Sequence, residues 1–215
     1  MPQVPIITKP DPQTALLVLI SGPCCSGKST LASFLSQRLH LPLISKDALK
    51  EELFKILPLT DPTWLRQLGE ASNQVIFHIL EQFVSSNQGG VFESNFSPEL
   101  HRYNLASILR PHNGVVIEIY CTAKVDILES RFIARSPYRN RAHNEKVNAK
   151  RPARGFLNVE QHTPLNISNM LTLDTSDVAS VNYEKLLREI STICCANSQC
   201  ADDTPCEAPV DKPYE

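Results

Sequence analysis

Residues 15–39 pass from an uncharged apolar run (ALLVLI) through SGPCCSGKST into a stretch whose apolar residues recur with helical spacing. No other segment restricts the fold so tightly. Six apolar residues make a buried strand and fall far short of the roughly 20 needed to cross a bilayer. Leu31, Phe34, Leu35 and Leu39 share one face of a helix predicted over 28–39. Between them, Gly22, Pro23, Cys24, Cys25, Ser26, Gly27, Lys28, Ser29 and Thr30 satisfy the pattern GxxxxGK[ST]. A loop of this kind, held between a strand and a helix, turns backbone amides and the positive helix end toward phosphate groups, and its glycines allow the close approach. The chain has seven glycines, and two stand where the pattern requires them. Lys28 is placed to bridge the β- and γ-phosphates of a nucleotide, and Ser29 to set its hydroxyl on Mg²⁺.

The rest of the chain alternates between the two periodicities. Strands are expected over 41–45, 91–95, 115–121 and 170–174, and helices over 48–57, 62–85, 98–109, 125–135 and 181–193. Asp61 before Pro62, and Ser97 before Pro98, are suited to open their helices. Alternation of this kind specifies an α/β fold with a five-stranded, doubly wound parallel sheet, helices on both faces, and a ligand site at the strands' carboxyl ends. A hydrophobic fraction of 42% with 20% charged residues excludes a wholly disordered or membrane-embedded chain. Four of the 16 prolines lie in the first 12 residues and three in the last 11, so residues 1–14 and 196–215 read as flexible tails around a domain at 15–195. Asp11 and the prolines ahead of the apolar run, with no basic segment, do not make a signal peptide, and a soluble, cytoplasmic chain with no membrane partner is expected. The seven cysteines then imply reduced thiols, and Cys194, Cys195, Cys200 and Cys206 match no zinc-ligand spacing.

A phosphate loop serves GTPases, motor ATPases and kinases alike, so the other strand ends must discriminate. No Asn-Lys-x-Asp guanine signature occurs, and no strand ends in the run of apolar residues plus Asp that motor ATPases use. The second strand ends instead at Ser45, Lys46 and Asp47. A carboxylate there suits an acceptor-activating base in a kinase, or a cap for the helix that follows. Glu93 and Asn95 fall on one face at the end of the third strand. Glu93 either holds a Mg²⁺ water or a substrate hydroxyl, or is a buried carboxylate paired with an Arg or Lys. Residues 131–154 carry eight of the 21 Lys and Arg against one acid, Glu145, a local charge of +7 in a chain of −2. Arg131 and Arg135 stand four apart on one helix face, with Arg139, Arg141 and His143 beyond. Such spacing fits a lid over about 136–160, in which Arg135 and Arg139 contact the transferring phosphoryl and Arg131 lies nearer the nucleotide. Pro152 and Gly155 suit an irregular segment there. Trp64 and Phe77 read either as pocket lining or as core.

These residues resemble the small P-loop kinases and kinase-like ATP-binding proteins, a grouping that includes chloramphenicol phosphotransferase, the kinase part of polynucleotide kinases and the zeta toxins. The resemblance runs over about 16–190 and rests on the Walker loop, on Ser45-Lys46-Asp47 with Ala48-Leu49-Lys50-Glu51, on Phe92-Glu93-Ser94-Asn95-Phe96, on Arg131 with Arg135, and on Leu173-Asp174-Thr175-Ser176. It implies a P-loop NTPase fold with an arginine-bearing lid, ATP with Mg²⁺, and Asp47 as base. The chain departs from the pattern in its double cysteine and in a short segment after His143 that carries Lys146, Lys150, Arg151 and Arg154. The expected activity is transfer of the ATP γ-phosphoryl to a hydroxyl of a small molecule. Two alternatives stand beside it: a kinase for a nucleic-acid 5′-hydroxyl, tracked by residues 146–154, and a nucleotide-dependent regulatory module with little turnover.

Overall fold

The computed structural model describes residues 15–57, 61–143 and 162–197. Its sheet has five parallel strands, β1 (Leu16–Ser21), β2 (Leu43–Ser45), β3 (Gly90–Glu93), β4 (Val115–Thr122) and β5 (Asn169–Asp174), in the order β2-β3-β1-β4-β5. Helices α1 (Lys28–Leu39), α2 (Lys46–Ile56), α3 (Pro62–Ser85), α4 (Pro98–Leu109), α5 (Val125–Arg135) and α6 (Tyr183–Asn197) connect and cover it. Central β1 is buried along its whole length, which is why its sequence is apolar without alternation. Its side chains still divide by parity. Leu16, Val18 and Ile20 pack with Leu31 and Leu35 of α1 and with Leu186 and Ile190 of α6, whereas Leu17 and Leu19 pack with Ile76 and Leu80 of α3 and Leu105 of α4. The strand order reverses about β1, and the crevice beyond its carboxyl end is where a doubly wound sheet takes its ligand.

Several boundaries differ from the sequence reading for local reasons. β2 starts at Leu43 because Leu41 closes α1: its amide bonds the Ser36 carbonyl at 3.1 Å and its own carbonyl accepts from the Ser36 hydroxyl at 2.6 Å. α2 begins at Lys46, so Asp47 lies inside its first turn and is not its cap. β3 ends at Glu93, leaving Asn95 beyond the strand. Asp61 caps α3 as expected, accepting from the amides of Thr63 and Trp64 at 2.8 and 3.2 Å. Ser97 makes no side-chain cap, and its amide instead donates to Nδ1 of buried His101 at 2.9 Å. A 3-10 turn at Val178–Ser180 delays the last helix to Tyr183.

The early part of the expected lid consists of two 3-10 turns, Ser136–Tyr138 and Arg141–His143. Residues 144–161, with Glu145, Lys146, Lys150, Arg151, Pro152, Arg154 and Gly155, lie outside the described residues, as do 1–14 and 198–215 with Cys200 and Cys206. Phe77 is core, stacked on Phe96 with centroids 6.3 Å apart, and Trp64 is 56% exposed. Among the described residues no helix is long and apolar enough to cross a membrane.

Candidate active site

The phosphate loop leaves β1 through Gly22 at φ 133° and enters α1 through Gly27 at φ 82°. A Cβ on Gly22 would sit 2.1 Å from the Cys121 carbonyl oxygen of β4, so backbone packing alone demands glycine there. Cys25 also takes a left-handed conformation, φ 67°, which costs a non-glycine residue about 1 kcal/mol. Inside the loop, buried Lys28 donates from Nζ to the Pro23 carbonyl at 2.7 Å, and the buried Ser26 hydroxyl has no partner among the described residues. Lys28 thus points into the concavity it encloses.

Two side chains outside the loop hold its shape. Thr175, just past β5, has its hydroxyl 3.2 Å from the Ser26 carbonyl and from the Thr122 carbonyl. Arg131 of α5 donates to the Cys25 carbonyl at 3.3 Å, to the Thr175 hydroxyl at 3.0 Å and to the Thr175 carbonyl at 2.5 Å. Arg131 lines the loop's cavity, with its guanidinium engaged by the loop backbone. Arg135, one turn on, donates to the Cys24 sulfur at 2.6 Å.

Glu93 is 2% exposed and is bonded by hydroxyls: Ser45 donates at 2.6 Å and Ser29 lies at 3.5 Å. Among the described residues its contacts are these two hydroxyls, with no Arg or Lys ion pair. A loop hydroxyl beside a buried carboxylate is the donor set that suits Mg²⁺, a cation that keeps several waters and takes its remaining ligands from phosphate. The residues therefore fit the ion, although no group of three or more His, Cys, Asp or Glu side chains forms a protein cage among the described residues.

Asp47 faces the loop from α2, and the expected lid arginine Arg139 is hydrogen-bonded to its Oδ2. Arg139 also reaches Glu51 at 3.8 Å, while His143 bonds Glu51 at 2.8 Å and lies 3.8 Å from Asp47. Burial works to raise the Asp47 carboxyl, but the charges of His143, Arg139, Lys46 and Lys28 together outweigh it and hold the group below the ordinary carboxylate value. Burial in turn lowers His143 from its ordinary value, whereas Arg139 is a fixed cation bonded to Asp47. Asp47 is ionised and able to accept a proton.

These groups border two adjoining cavities. The larger, about 630 Å³, is walled by the loop and Arg131, with Val178, Val181 and Tyr183 as an apolar end. The smaller, about 250 Å³, reaches from Lys28 to Lys46, Lys50, Asn95, His143 and His162. Cys24, Lys28, Asp47, Glu93 and Arg135 line both. Every loop residue from Cys24 to Thr30 lines the larger cavity, as does Arg139, whereas Gly22 and Pro23 shape the loop from behind. Asn95 accepts from Lys46 Nζ at 2.5 Å. Behind it a buried relay runs from the Ser94 hydroxyl to Asn73 at 3.0 Å and on to His101 at 3.3 Å.

The sequence reading missed Thr175 as a loop fastener and assigned no role to Lys46, Lys50 or His162. The two lysines were findable, since they stand one helical turn apart around Asp47. His162 carries no local signal. It is brought in from the far edge of the sheet, where its carbonyl accepts from the Tyr120 hydroxyl and the Leu165 amide donates to buried Glu118 at 2.5 Å.

The parallel order of the sheet and the loop at its switch point define a P-loop protein of the small-kinase type. A family profile described as an AAA domain matches residues 17–154, well over half of the chain, and the protein belongs to that family. No curated protein matches significantly. Among solved structures, a putative kinase from Chloroflexus aurantiacus j-10-fl is 25% identical with a TM-score of 0.74, over 87% of this chain and 100% of that one. Shikimate kinase from Aquifex aeolicus vf5 is 20% identical with a TM-score of 0.51, over 85% of this chain and 98% of that one. A sugar kinase from Janibacter sp. HTCC2649 is 12% identical with a TM-score of 0.50, over 86% and 99% respectively. The last two are similar in fold alone.

Proposed function

We propose that this chain is a phosphotransferase that moves the γ-phosphoryl of ATP to a hydroxyl of a small molecule. The observation that carries the reading is the junction of the two cavities, where Lys28, Asp47, Glu93 and Arg135 line both at once. A nucleotide in the larger cavity would present its terminal phosphate at that junction, and an acceptor in the smaller one would meet it in line.

In this mechanism the loop amides and Lys28 bind the phosphates, and Lys28 exchanges the Pro23 carbonyl for phosphate oxygens. The Ser29 hydroxyl, and Glu93 through water, would hold Mg²⁺, which would supply charge neutralisation at the phosphate oxygens. Asp47 exchanges Arg139 for the acceptor hydroxyl, orients it and takes its proton as the new oxygen–phosphorus bond forms and the bond to the ADP oxygen breaks. A carboxylate held below its ordinary value is a weak base, which suits a loose transition state in which the hydroxyl loses its proton late. Arg135, released from the Cys24 sulfur, and Arg139, released from Asp47, would stabilise the charge on the transferring group. Arg131 keeps the loop in register through its bonds to Cys25 and Thr175.

The test is ADP release with ATP and Mg²⁺ across nucleosides, aminoglycosides, phenicols, sugars, hydroxy acids and 5′-hydroxyl oligonucleotides, run beside Lys28→Ala and Asp47→Asn. The reading expects one acceptor class to stimulate turnover and each substitution to reduce it by about 10³. Full activity in Asp47→Asn would remove that residue as the base. ATP binding with no stimulated turnover would favour the regulatory module, and salt-sensitive stimulation by oligonucleotides alone would favour the nucleic-acid kinase.

A further inference from the structure

The smaller cavity has a charge pattern that phosphoryl transfer to a neutral alcohol does not require. Lys28 and Arg135 are accounted for by the nucleotide, Asp47 by the hydroxyl and Glu93 by the loop hydroxyl Ser29. Lys46 and Lys50 remain. They stand one turn apart on α2, both half-buried and both on the cavity wall. Neither forms an ion pair with a carboxylate among the described residues, and Lys46 spends its hydrogen bond on the neutral Asn95 amide. Both side chains pass Gly69 of α3, where a Cβ would stand 3.6 Å from Lys50 Nζ and 3.9 Å from Lys46 Cε, in ordinary contact with each.

The opposite wall agrees. His162 lines the same cavity, and its buried Nδ1 has no hydrogen-bond partner among the described residues. Burial, with the charges of Lys28 and Lys46, holds its ring down to about 4, so at neutral pH it is an uncharged imidazole in a field of cations. Burial, with Lys46 as the nearest like charge, brings Lys50 down to about 8. The nearby Asp47 carboxylate offsets only part of the burial that lowers both ammonium groups, and an anion placed between them offsets the rest.

We propose that the smaller cavity takes an anionic acceptor: a small molecule carrying a carboxylate or phosphate group a few bonds from its reactive hydroxyl, with that anion seated on Lys46, Lys50 and His162. The spacing sets the length. Side chains three or four positions apart on a helix stand about 5–6 Å from one another at Cβ, so an anion on the two lysines puts a hydroxyl only a few atoms away at Asp47. The size agrees, since about 250 Å³ lies below the usual ligand-pocket range of roughly 300–1,000 Å³ and admits a metabolite rather than a polymer. The hydroxyl's fate rests on the phosphotransferase reading, whereas the seat for the anion rests on the cavity alone.

The experiment is thermal stabilisation of the full chain, first saturated with AMP-PNP and Mg²⁺ so that the phosphate loop is filled, then titrated with matched probes. Glycerate and malonate form the carboxylate arm, glycerol 3-phosphate and inorganic phosphate the phosphate arm, and glycerol and xylitol the neutral controls. A saturable rise with at least one anionic arm and with neither neutral control is expected, and the arm that responds names the group. Lys46→Met and Lys50→Met should each weaken that response roughly 10- to 100-fold, whereas Lys50→Arg should retain most of it, which separates charge from fold. Saturation by neutral polyols only, no response to any anion, or methionine variants that respond like the parent would overturn the proposal. If AMP-PNP gives no stabilisation and Lys28→Ala changes nothing, the phosphotransferase reading fails. The anion titration without nucleotide, scored by its dependence on Lys50 rather than Lys28, still decides the seat.

Discussion

The two cavities are assembled by different means. The nucleotide side is made of backbone: a loop nine residues long, from Gly22 to Thr30, shaped by two glycines at positive φ and fastened by Thr175 and Arg131. The proposed acceptor side is made of side chains on elements far apart in sequence: Asp47 and Lys50 on α2, His143 after α5, and His162 ahead of β5. Charge also ties it to the other cavity, since Asp47, which lines both, bonds Arg139 of the larger one, 92 residues away. A backbone site is rigid before its ligand arrives. A site of paired charges must exchange partners to work, and its geometry is set by what each charge can reach.

The sharpest way to break this contrast is to put a side chain where the backbone allows none. Gly22→Ala drives a Cβ into the Cys121 carbonyl at 2.1 Å and forces φ 133° on a residue that avoids it. The clash is with a strand of the sheet and not with a flexible side chain, so about 4 kcal/mol of stability should be lost. Thermal denaturation should show a fall of roughly 10 °C or more, together with loss of ATP binding. A variant with normal stability and ATP affinity would mean that the loop is not fixed by its packing on β4.

On the other side a single cation can be removed without disturbing the sheet. Arg135→Ala should lower kcat by about 10³ while leaving melting within a few degrees, because its guanidinium bonds the Cys24 sulfur on the wall shared by the two cavities. Steady-state kinetics beside calorimetry separate the two effects. A drop in stability comparable with that of Gly22→Ala would make Arg135 a structural tie.

How much of this was legible in the sequence follows from the same contrast. The phosphate loop could be read because all its determinants lie within nine consecutive residues, and β1, α1 and α3 to α5 could be read because their packing is periodic. α2 and β2 shifted by two residues because Leu41 was taken by the end of α1 and Lys46 by the start of α2. Placing Arg139 on Asp47 was beyond the sequence, since it depends on how the 3-10 turn at Ser136–Tyr138 redirects the chain. Among the described residues, His162 is set beside the cavity by the bonds that pin residues 162 and 165 to Tyr120 and Glu118 of β4. Long-range charge pairs leave no periodic trace.

The Arg139–Asp47 pair makes a pH dependence that sharpens the picture of partner exchange. Asp47 lies below the ordinary carboxylate value because cations outweigh burial, so removing Arg139 leaves burial less opposed and raises the group. The acid limb of kcat/KM should therefore move to higher pH in Arg139→Ala, whatever the change in its plateau, and should stay near its parent position in Arg139→Lys. Stability runs the same way. The depressed carboxyl contributes stability that is present above the ordinary carboxylate range and lost as pH falls through the folded-state value, and this acid-side loss should shrink in the alanine variant. An unmoved acid limb would show that Asp47 is not the titrating base.

The smallest effect should come from Cys25→Gly, and its smallness carries the argument. Cys25 gives the site its carbonyl, which accepts from Arg131, and its left-handed backbone at φ 67°. Glycine adopts that conformation without penalty, recovering about 1 kcal/mol of strain, which offsets the freed unfolded chain and the loss of half-buried packing beside Leu128 and Phe132. Melting should therefore shift by no more than about 2 °C, and ATP affinity, read by titration calorimetry, should change less than about threefold. A loss of ATP binding would show that the thiol itself takes part, and the nucleotide side would then share the dependence on side chains that marks the acceptor side. Retained binding, set against a weakened anion response in Lys50→Met, would leave one site built from backbone and the other from charge.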